Sequence, residues 1–246
     1  MDYYKQIFKR KSFHLFRERE RLNDDDIAKL KAFLGAVQPL YPQIRTEILI
    51  LPESETTCSR GGEYCLLFYS EEKGDYLRNI GYMGEQIDLY LAGENIGALW
   101  FGIGKPKELQ RDGLSFVIMI TIAKMPENKF RKDMFKAKRK PLDEIWSGDT
   151  LGVGEIVRFA PSACNTQPWI TENSGRELSV YRYKKPGKRG IMPAEKVSFY
   201  NRIDMGIYLF MLEVCLEHEN ISYERELFAD SEEAEKTLTA KYRLLQ

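Results

Sequence analysis

The sequence predicts an α+β fold built from two similar halves, and three observations point there. Short β-branched and aromatic runs alternate with longer stretches of helical periodicity. That rhythm stops over a polar, basic stretch at 124–140 and then restarts. Each half also carries an Asp-bearing amphipathic segment that ends near an Asn-Ile pair: GYMGEQIDLYLAGENIGA at 81–98 and FYNRIDMGIYLFMLEVCLEHENIS at 199–222. With 246 residues, each half has the size of a small domain. The expected division is 1–145 and 146–246, two pseudo-repeats with helices packed on antiparallel sheets, fused into one compact unit.

Taken in order, Asn23 and the acidic Asp24–Asp26 form a capping signal ahead of Ile27, Leu30, Phe33, Leu34 and Val37, an apolar face at helical spacing. Ile48–Leu51 and Tyr64–Tyr69 are short, apolar and aromatic, as strands are. Gly81–Ile96 reads as a helix burying Met83, Ile87, Leu91 and Ile96, stopped at Gly97. Ala98–Gly102 then reads as a turn into a short strand. Leu114–Ala123 is almost continuously apolar, which suits a strand covered on both faces. In the second half, Ser162–Ile170 reads as a loop and Leu178–Tyr183 as an alternating strand. Lys184–Arg189 is a basic Pro/Gly turn, and Met205–His218 a helix. Asp230 and Glu233 have capping-box spacing and predict a C-terminal helix.

Composition narrows the function. Lys+Arg and Asp+Glu both number 37, so the net charge is zero. A balanced chain has no global field for nucleic acid or an anionic membrane, and any anion site must be local. No apolar run reaches the roughly 18–20 residues of a membrane span. The N-terminal stretch has no apolar signal core, so a cytoplasmic protein with reduced thiols is expected. Cys58, Cys65, Cys164 and Cys215 lack CxxC spacing, and with only His14 and His218 no metal site is expected.

Four segments could carry chemistry. Lys9-Arg10-Lys11-Ser12 sets cations beside a hydroxyl, which suits a phosphate but also describes a solvated basic patch. Ala160–Trp169 (APSACNTQPW) packs two prolines with Ser, Asn and Gln; it is either a rigid amide edge for a heterocycle or a stiff loop with Trp169 in the core. Gly97–Gly102 (GALWFG) either lets backbone approach a flat ligand or is a helix stop before a buried strand. Lys138-Arg139-Lys140-Pro141-Leu142 is a second basic cluster or a solvated linker. Cys164 has no neighbouring His and is read as a small filler rather than a nucleophile.

Taken together, these segments resemble the nitroreductase family of FMN-dependent oxidoreductases. The family's opening Arg-basic-Ser motif is similar to Arg10-Lys11-Ser12-Phe13-His14, with His14 where the family prefers Arg or Lys. Its flavin loop is matched at every defined position by Ala160–Trp169. Its GL-x-W-x-G element is similar to the segment ending at Gly102, and its basic tail to Arg139–Glu144. The order departs from the family, where the loop follows the first motif closely; here that window holds Val37–Pro42 without the Ser and Asn. The resemblance therefore implies a divergent, tandem-fused, single-chain branch, an intrachain pseudo-dimer in which the first half grips the phosphate and the second supplies the loop.

The resemblance further implies one FMN per chain, with Arg10, Lys11, Ser12 and His14 toward the phosphate and ribityl chain and Lys138 and Arg139 completing the charge balance. Pro161, Ser162 and Asn165 would meet the ring edge, Gln167 would brace the loop, and Trp100, Phe101 and Gly102 would lie near the reactive ring. NAD(P)H would be the hydride donor and an electron-poor small molecule the acceptor, in a ping-pong cycle needing no protein nucleophile. A sensor or carrier that binds FMN or a related nucleotide without turnover, or a purely structural pseudo-dimer, stays open on the sequence.

Overall fold

The run 114–124 becomes the inner strand of a sheet. In the computed structural model, which describes residues 1–183, 190–231 and 234–245, this strand pairs on both sides, so both its edges and both its faces are covered. The chain divides into two compact units: residues 1–76 with 83–134, and residues 77–82 with 135–246.

The first unit opens with α1 (Tyr3–Lys9) and α2 (Asp24–Leu34). Asp2 caps α1 by accepting from the Lys5 N–H, and Asn23 and Asp26 form a reciprocal capping box on α2. The strands are β1 (Thr46–Pro52), β2 (Tyr64–Ser70), β3 (Ile96–Phe101), β4 (Gln110–Arg111) and β5 (Leu114–Lys124), in the order β1-β2-β5-β3 with β4 on β5, all antiparallel. The long helix α3 (Tyr76–Gly93) links β2 to β3. An apolar cluster including Phe13, Leu67, Leu99, Phe101 and Met119 fills this unit.

The second unit adds α4 (Leu142–Ile145), β6 (Trp146–Ser147), α5 (Gly154–Val157), β7 (Trp169–Asn173), β8 (Glu177–Tyr183), α6 (Val197–His218), β9 (Tyr223–Leu227) and β10 (Lys236–Leu244). Its sheet runs β6-β7-β8-β10-β9, antiparallel except for the parallel β6–β7 pair. Setting aside the two-residue strands, both sheets share one plan: two strands, a long helix, then two strands whose last member inserts beside the second. The weak sequence echo between 81–98 and 199–222 therefore marks the equivalent helices α3 and α6.

Three expectations are corrected. The helix expected at 81–96 begins at Tyr76 and ends at Gly93. Leu77 and Ile80 extend its buried face backward, and Asn95 at φ 57° turns the chain so that Ile96 opens β3. The helix expected from Met205 begins at Val197, which brings buried Asn201 and Ile203 into it. The C-terminal helix is replaced by strand β10. Asp230 does not cap a helix; its carboxylate accepts from Arg182 Nε at 2.7 Å and Nη2 at 2.5 Å. Thr237 and Thr239 favour strand, and Ala240 and Tyr242 are buried by pairing with β8 and β9. Glu233 and the turn expected at 184–189 lie outside the described residues. No helix among the described residues is long and apolar enough to cross a membrane.

Within the second unit, residues 77–82 lie against α6 through two glycines. A Cβ on Gly81 would stand 1.9 Å from the Ile203 carbonyl oxygen, and one on Gly206 would stand 2.0 Å from that of Arg78. Both clashes are with backbone, which cannot rotate away. Arg78 then reaches the Thr239 and Phe228 carbonyls at 2.6 and 2.7 Å. Gly206→Ala is expected to lower stability by about 1–3 kcal/mol through overpacking, read from the denaturant midpoint.

Candidate functional site

In the first unit the chain leaves α1 at Arg10, whose extended backbone (φ −58°, ψ 137°) ends the helix. Ser12 bridges in parallel to Ala98, and the Phe13 N–H donates to the Ala98 carbonyl at 3.0 Å. The basic motif is thus laid along β3. Arg10 is buried; its Nε donates to Asp88 Oδ2 at 2.8 Å, and its Nη2 reaches Ser12 Oγ at 3.3 Å. The same Asp88 oxygen accepts from Trp100 Nε1 at 2.9 Å. One carboxylate on α3 therefore fixes both the motif and the aromatic of β3.

Around this pair the charges are uneven. Lys11 is half-buried with its ammonium 4.6 Å above the Phe13 ring. Burial, then the positive charges of Arg131 and Lys129, hold it below the ordinary lysine range. Arg131 is lowered in the same way, by burial and then by Arg10. Its backbone N–H donates to the Lys9 carbonyl at 3.1 Å, which sets it beside the motif. Cations held below their ordinary range by burial and by neighbouring positive charge are a donor set suited to an anion. Lys9 donates to Asn95 Oδ1 at 2.7 Å, and His14 is exposed. Glu85, one turn before Asp88, is fully buried; neither of its oxygens has a hydrogen-bond partner among the described residues. Burial, reinforced by Asp88, holds it well above the usual carboxylate range. Trp100 and Gly102 are half-buried, while Phe101 belongs to the core.

In the second unit the loop Ala160–Trp169 links α5 to β7 in an unusual backbone. Cys164, Asn165 and Gln167 take φ of 49°, 56° and 48°, a left-handed conformation that non-glycine residues adopt only when surroundings impose it. The surroundings are visible. Ser162 Oγ accepts the Gln167 N–H at 3.0 Å. Asp204 on α6 accepts the Ala163 N–H at 2.9 Å and the Thr166 hydroxyl at 3.4 Å. From the basic segment, Arg139 donates to Asn165 Oδ1 at 3.1 Å and to the Phe159 carbonyl at 3.0 Å. The Lys140 N–H donates to Gln167 Oε1 at 2.9 Å, and the Lys138 carbonyl accepts from Asn165 Nδ2 at 3.1 Å.

The loop and the basic segment together line an open pocket of about 570 Å³. Lys138, Arg139, Lys140, Asn165 and Gln167 face it, with Glu144 as the acidic group. Asn165 is exposed, Ser162 half-buried, and Pro161 and Gln167 buried. Trp169 stacks on Tyr208 with ring centroids 4.8 Å apart, in the core.

Sequence reasoning missed Asp88, Asp204 and Arg131, and it named Lys140 only within the second basic cluster. The aspartates had only a weak signal: each echoed helix carries an Ile-Asp pair (Ile87-Asp88, Ile203-Asp204), but at different distances from the shared Glu-Asn-Ile ending. Arg131 was hidden in a stretch read as a surface connector.

The comparisons with known proteins bear on the whole chain. A family model described as "Putative TM nitroreductase" matches residues 2–215. A solved "putative nitroreductase" of Thermotoga maritima MSB8 is 20% identical over 99% of this chain and 94% of its own, with a TM-score of 0.64; this likeness establishes the fold. A solved nitroreductase family protein of Clostridium difficile 630 is 14% identical over 61% of this chain and 99% of its own, with a TM-score of 0.43. No curated protein matches the sequence.

Two outcomes are expected. Arg10→Ala leaves Asp88 buried without its cation and should cost about 3–5 kcal/mol in denaturant melts. Asp204 is pushed up to about 8 by burial, against the hydrogen bonds from Ala163 and Thr166. With the folded value raised, its contribution is fully present below its unfolded value near 3.8 and is lost as pH rises through about 8. Asp204→Asn should therefore gain on the parent by roughly 4 kcal/mol between about pH 5 and pH 9. A pH-independent difference in melts would disprove this.

Proposed function

The chain belongs to the TM nitroreductase family, and on that premise we propose that it is an FMN-dependent oxidoreductase, in which the bound flavin relays hydride equivalents from NAD(P)H to an electron-poor small molecule such as a nitroaromatic or quinone, by ping-pong turnover. The observation that carries this is the strained, proline-bounded loop 160–169, clamped by Arg139 and Lys140 at the edge of an open pocket. The loop's three left-handed, non-glycine residues are held by hydrogen bonds with the basic segment, Ser162 and Asp204 rather than by apolar packing.

The residues available fit a flavin mononucleotide. Lys11 and Arg131, each depressed by a neighbouring cation, would gain from a phosphate dianion, and Ser12 adds a neutral donor. Arg10 acts differently from Lys11: Asp88 holds its guanidinium, so it orients Ser12 and bears on the phosphate mainly through its charge. His14, exposed next to this motif, can reach the same anion. Lys138 and Arg139 supply positive charge at the second-unit pocket. Asn165, its amide oriented by Arg139 and the Lys138 carbonyl, presents a fixed hydrogen-bonding edge for a heterocycle, with Pro161 and Ser162 shaping the backbone beside it. Gln167 braces that edge through Lys140. Trp100 on β3 and Gly102 just beyond it are half-buried and would lie nearest the flat ring, and Phe101 fixes the strand from the core side. No side chain is needed as a nucleophile, and the protein's part is to bind, orient and place charge.

The purified protein should show flavin absorbance, as isolated or after FMN is added; a protein that stays colourless would rule the proposal out. Replacing Lys11 and Arg131 together by Ala should weaken FMN binding at least tenfold by fluorescence quenching, with little change in melting temperature. Anaerobic NAD(P)H should bleach the bound flavin and an electron-poor acceptor should restore its colour. Binding without bleaching would instead identify a flavin sensor or carrier.

A further inference from the structure

Three side chains with no part in the proposed flavin chemistry meet in the core of the first unit. Glu53 opens a short 3-10 turn after β1, Cys58 lies in the loop beyond it, and Cys65 stands on β2 in register with Leu51 and Thr121. One carboxylate oxygen of Glu53 and the two sulfurs all lie within 4.8 Å of one another. All three residues are buried, and both cysteines belong to the apolar cluster that holds Leu67, Phe101 and Met119. A tetrahedral site with metal–sulfur bonds of about 2.3 Å needs sulfurs about 3.8 Å apart, so the spacing is within a side-chain adjustment.

The donor atoms are also held from behind. Glu53 Oε1 accepts the Gly61 N–H at 2.9 Å, while Oε2 accepts the Gly62 N–H at 2.7 Å and the Thr121 hydroxyl at 2.6 Å. Thr56 Oγ1 lies 3.6 Å from Cys65 Sγ. Such outer contacts are what fix and tune metal ligands.

A plain structural role accounts for part of this: Glu53 clamps the Gly61-Gly62 turn, and buried cysteines pack as small hydrophobes. It leaves one feature over. Glu53 is a buried carboxylate in an apolar core, and no Lys, Arg or His among the described residues pairs with it. A carboxylate in that position is costly without a positive counter-charge, and two soft sulfur donors beside it select which cation could provide one.

We infer that Glu53, Cys58 and Cys65 form a binding site for a thiophilic divalent cation, with Zn²⁺ as the occupant that this donor set suits. Binding exchanges the two thiol protons for two metal–sulfur bonds and releases the protons to solvent; the fourth position falls to water or to the Thr121 hydroxyl. The site is independent of the flavin and stands whether or not that proposal does.

The test uses the reduced full chain, titrated with Zn²⁺ against a chromogenic chelator, with stoichiometry read by native mass spectrometry. The expected result is one Zn²⁺ per chain, with release of protons. Cys58→Ser and Cys65→Ser should each weaken binding at least tenfold, while Cys164→Ser and Cys215→Ser bind as the parent does. Cd²⁺ in place of Zn²⁺ should give a sulfur-to-metal charge-transfer band that both core variants lose. Absence of stoichiometric uptake, retention of binding in both core variants, or loss in Cys164→Ser would overturn the inference. If circular dichroism shows that a core variant does not fold, Thr121→Val keeps all three ligands and reads the same site. A tenfold to hundredfold weaker affinity there supports it, and an unchanged affinity overturns it.

Discussion

A buried aspartate near the middle of each long helix organises everything around it. Asp88 on α3 takes the Arg10 guanidinium and the Trp100 indole N–H on one oxygen. Asp204 on α6 takes the Ala163 N–H and the Thr166 hydroxyl. The two carboxylates are not equivalent positions, since Asp88 lies close before the left-handed Asn95 that follows α3 and Asp204 lies far before the matching Asn220, yet each pins the candidate motif of its own unit. A buried charge or dipole acceptor tolerates few arrangements of its partners. That is why a basic turn can be laid flat along β3, and why a loop can be kept left-handed at Cys164, Asn165 and Gln167. The two solutions differ in sign: Asp88 is matched by a cation, whereas Asp204 has only neutral donors and is raised accordingly.

With zero net charge overall, the cations that could bind an anion work through local crowding. Burial lowers both Lys11 and Arg131, with Arg131 adding to the effect on Lys11 and Arg10 to that on Arg131, and Lys138, Arg139 and Lys140 crowd one rim of the second-unit pocket. In both places the cost of assembling like charges is already met by folding, so a bound anion recovers it. Glu85 is the opposite case, a carboxyl kept neutral by burial beside an ion pair it does not join. The Glu53–Cys58–Cys65 cluster is a related case: in an apolar core, the Glu53 oxygens have hydrogen-bond donors but no cation beside them among the described residues.

Much of the fold could be read in the sequence because its signals are local. The capping box at Asn23 and Asp26, the apolar run of β5 and the alternation of β8 are properties of short windows, and the structure keeps all three. Helix ends were misplaced where no cap marks them. Neither α3 nor α6 has a side-chain cap, so packing by Leu77, Ile80 and Ile203 set their starts. The capping-box spacing at Asp230 failed because Arg182, distant in sequence, claims that carboxylate.

The sequence by itself determined the alternation of strands and helices and the two stretches rich in hydrogen-bonding and charged groups, since composition and periodicity within a window suffice for these. Only the tertiary structure decided what those groups face. It assigned Arg10 to Asp88, gave Arg131 to the basic motif, set Lys140 against Gln167, and brought Cys58 and Cys65 to Glu53. These are choices among partners far apart along the chain, and a charged or polar side chain carries no local sign of which distant group burial will force it to meet.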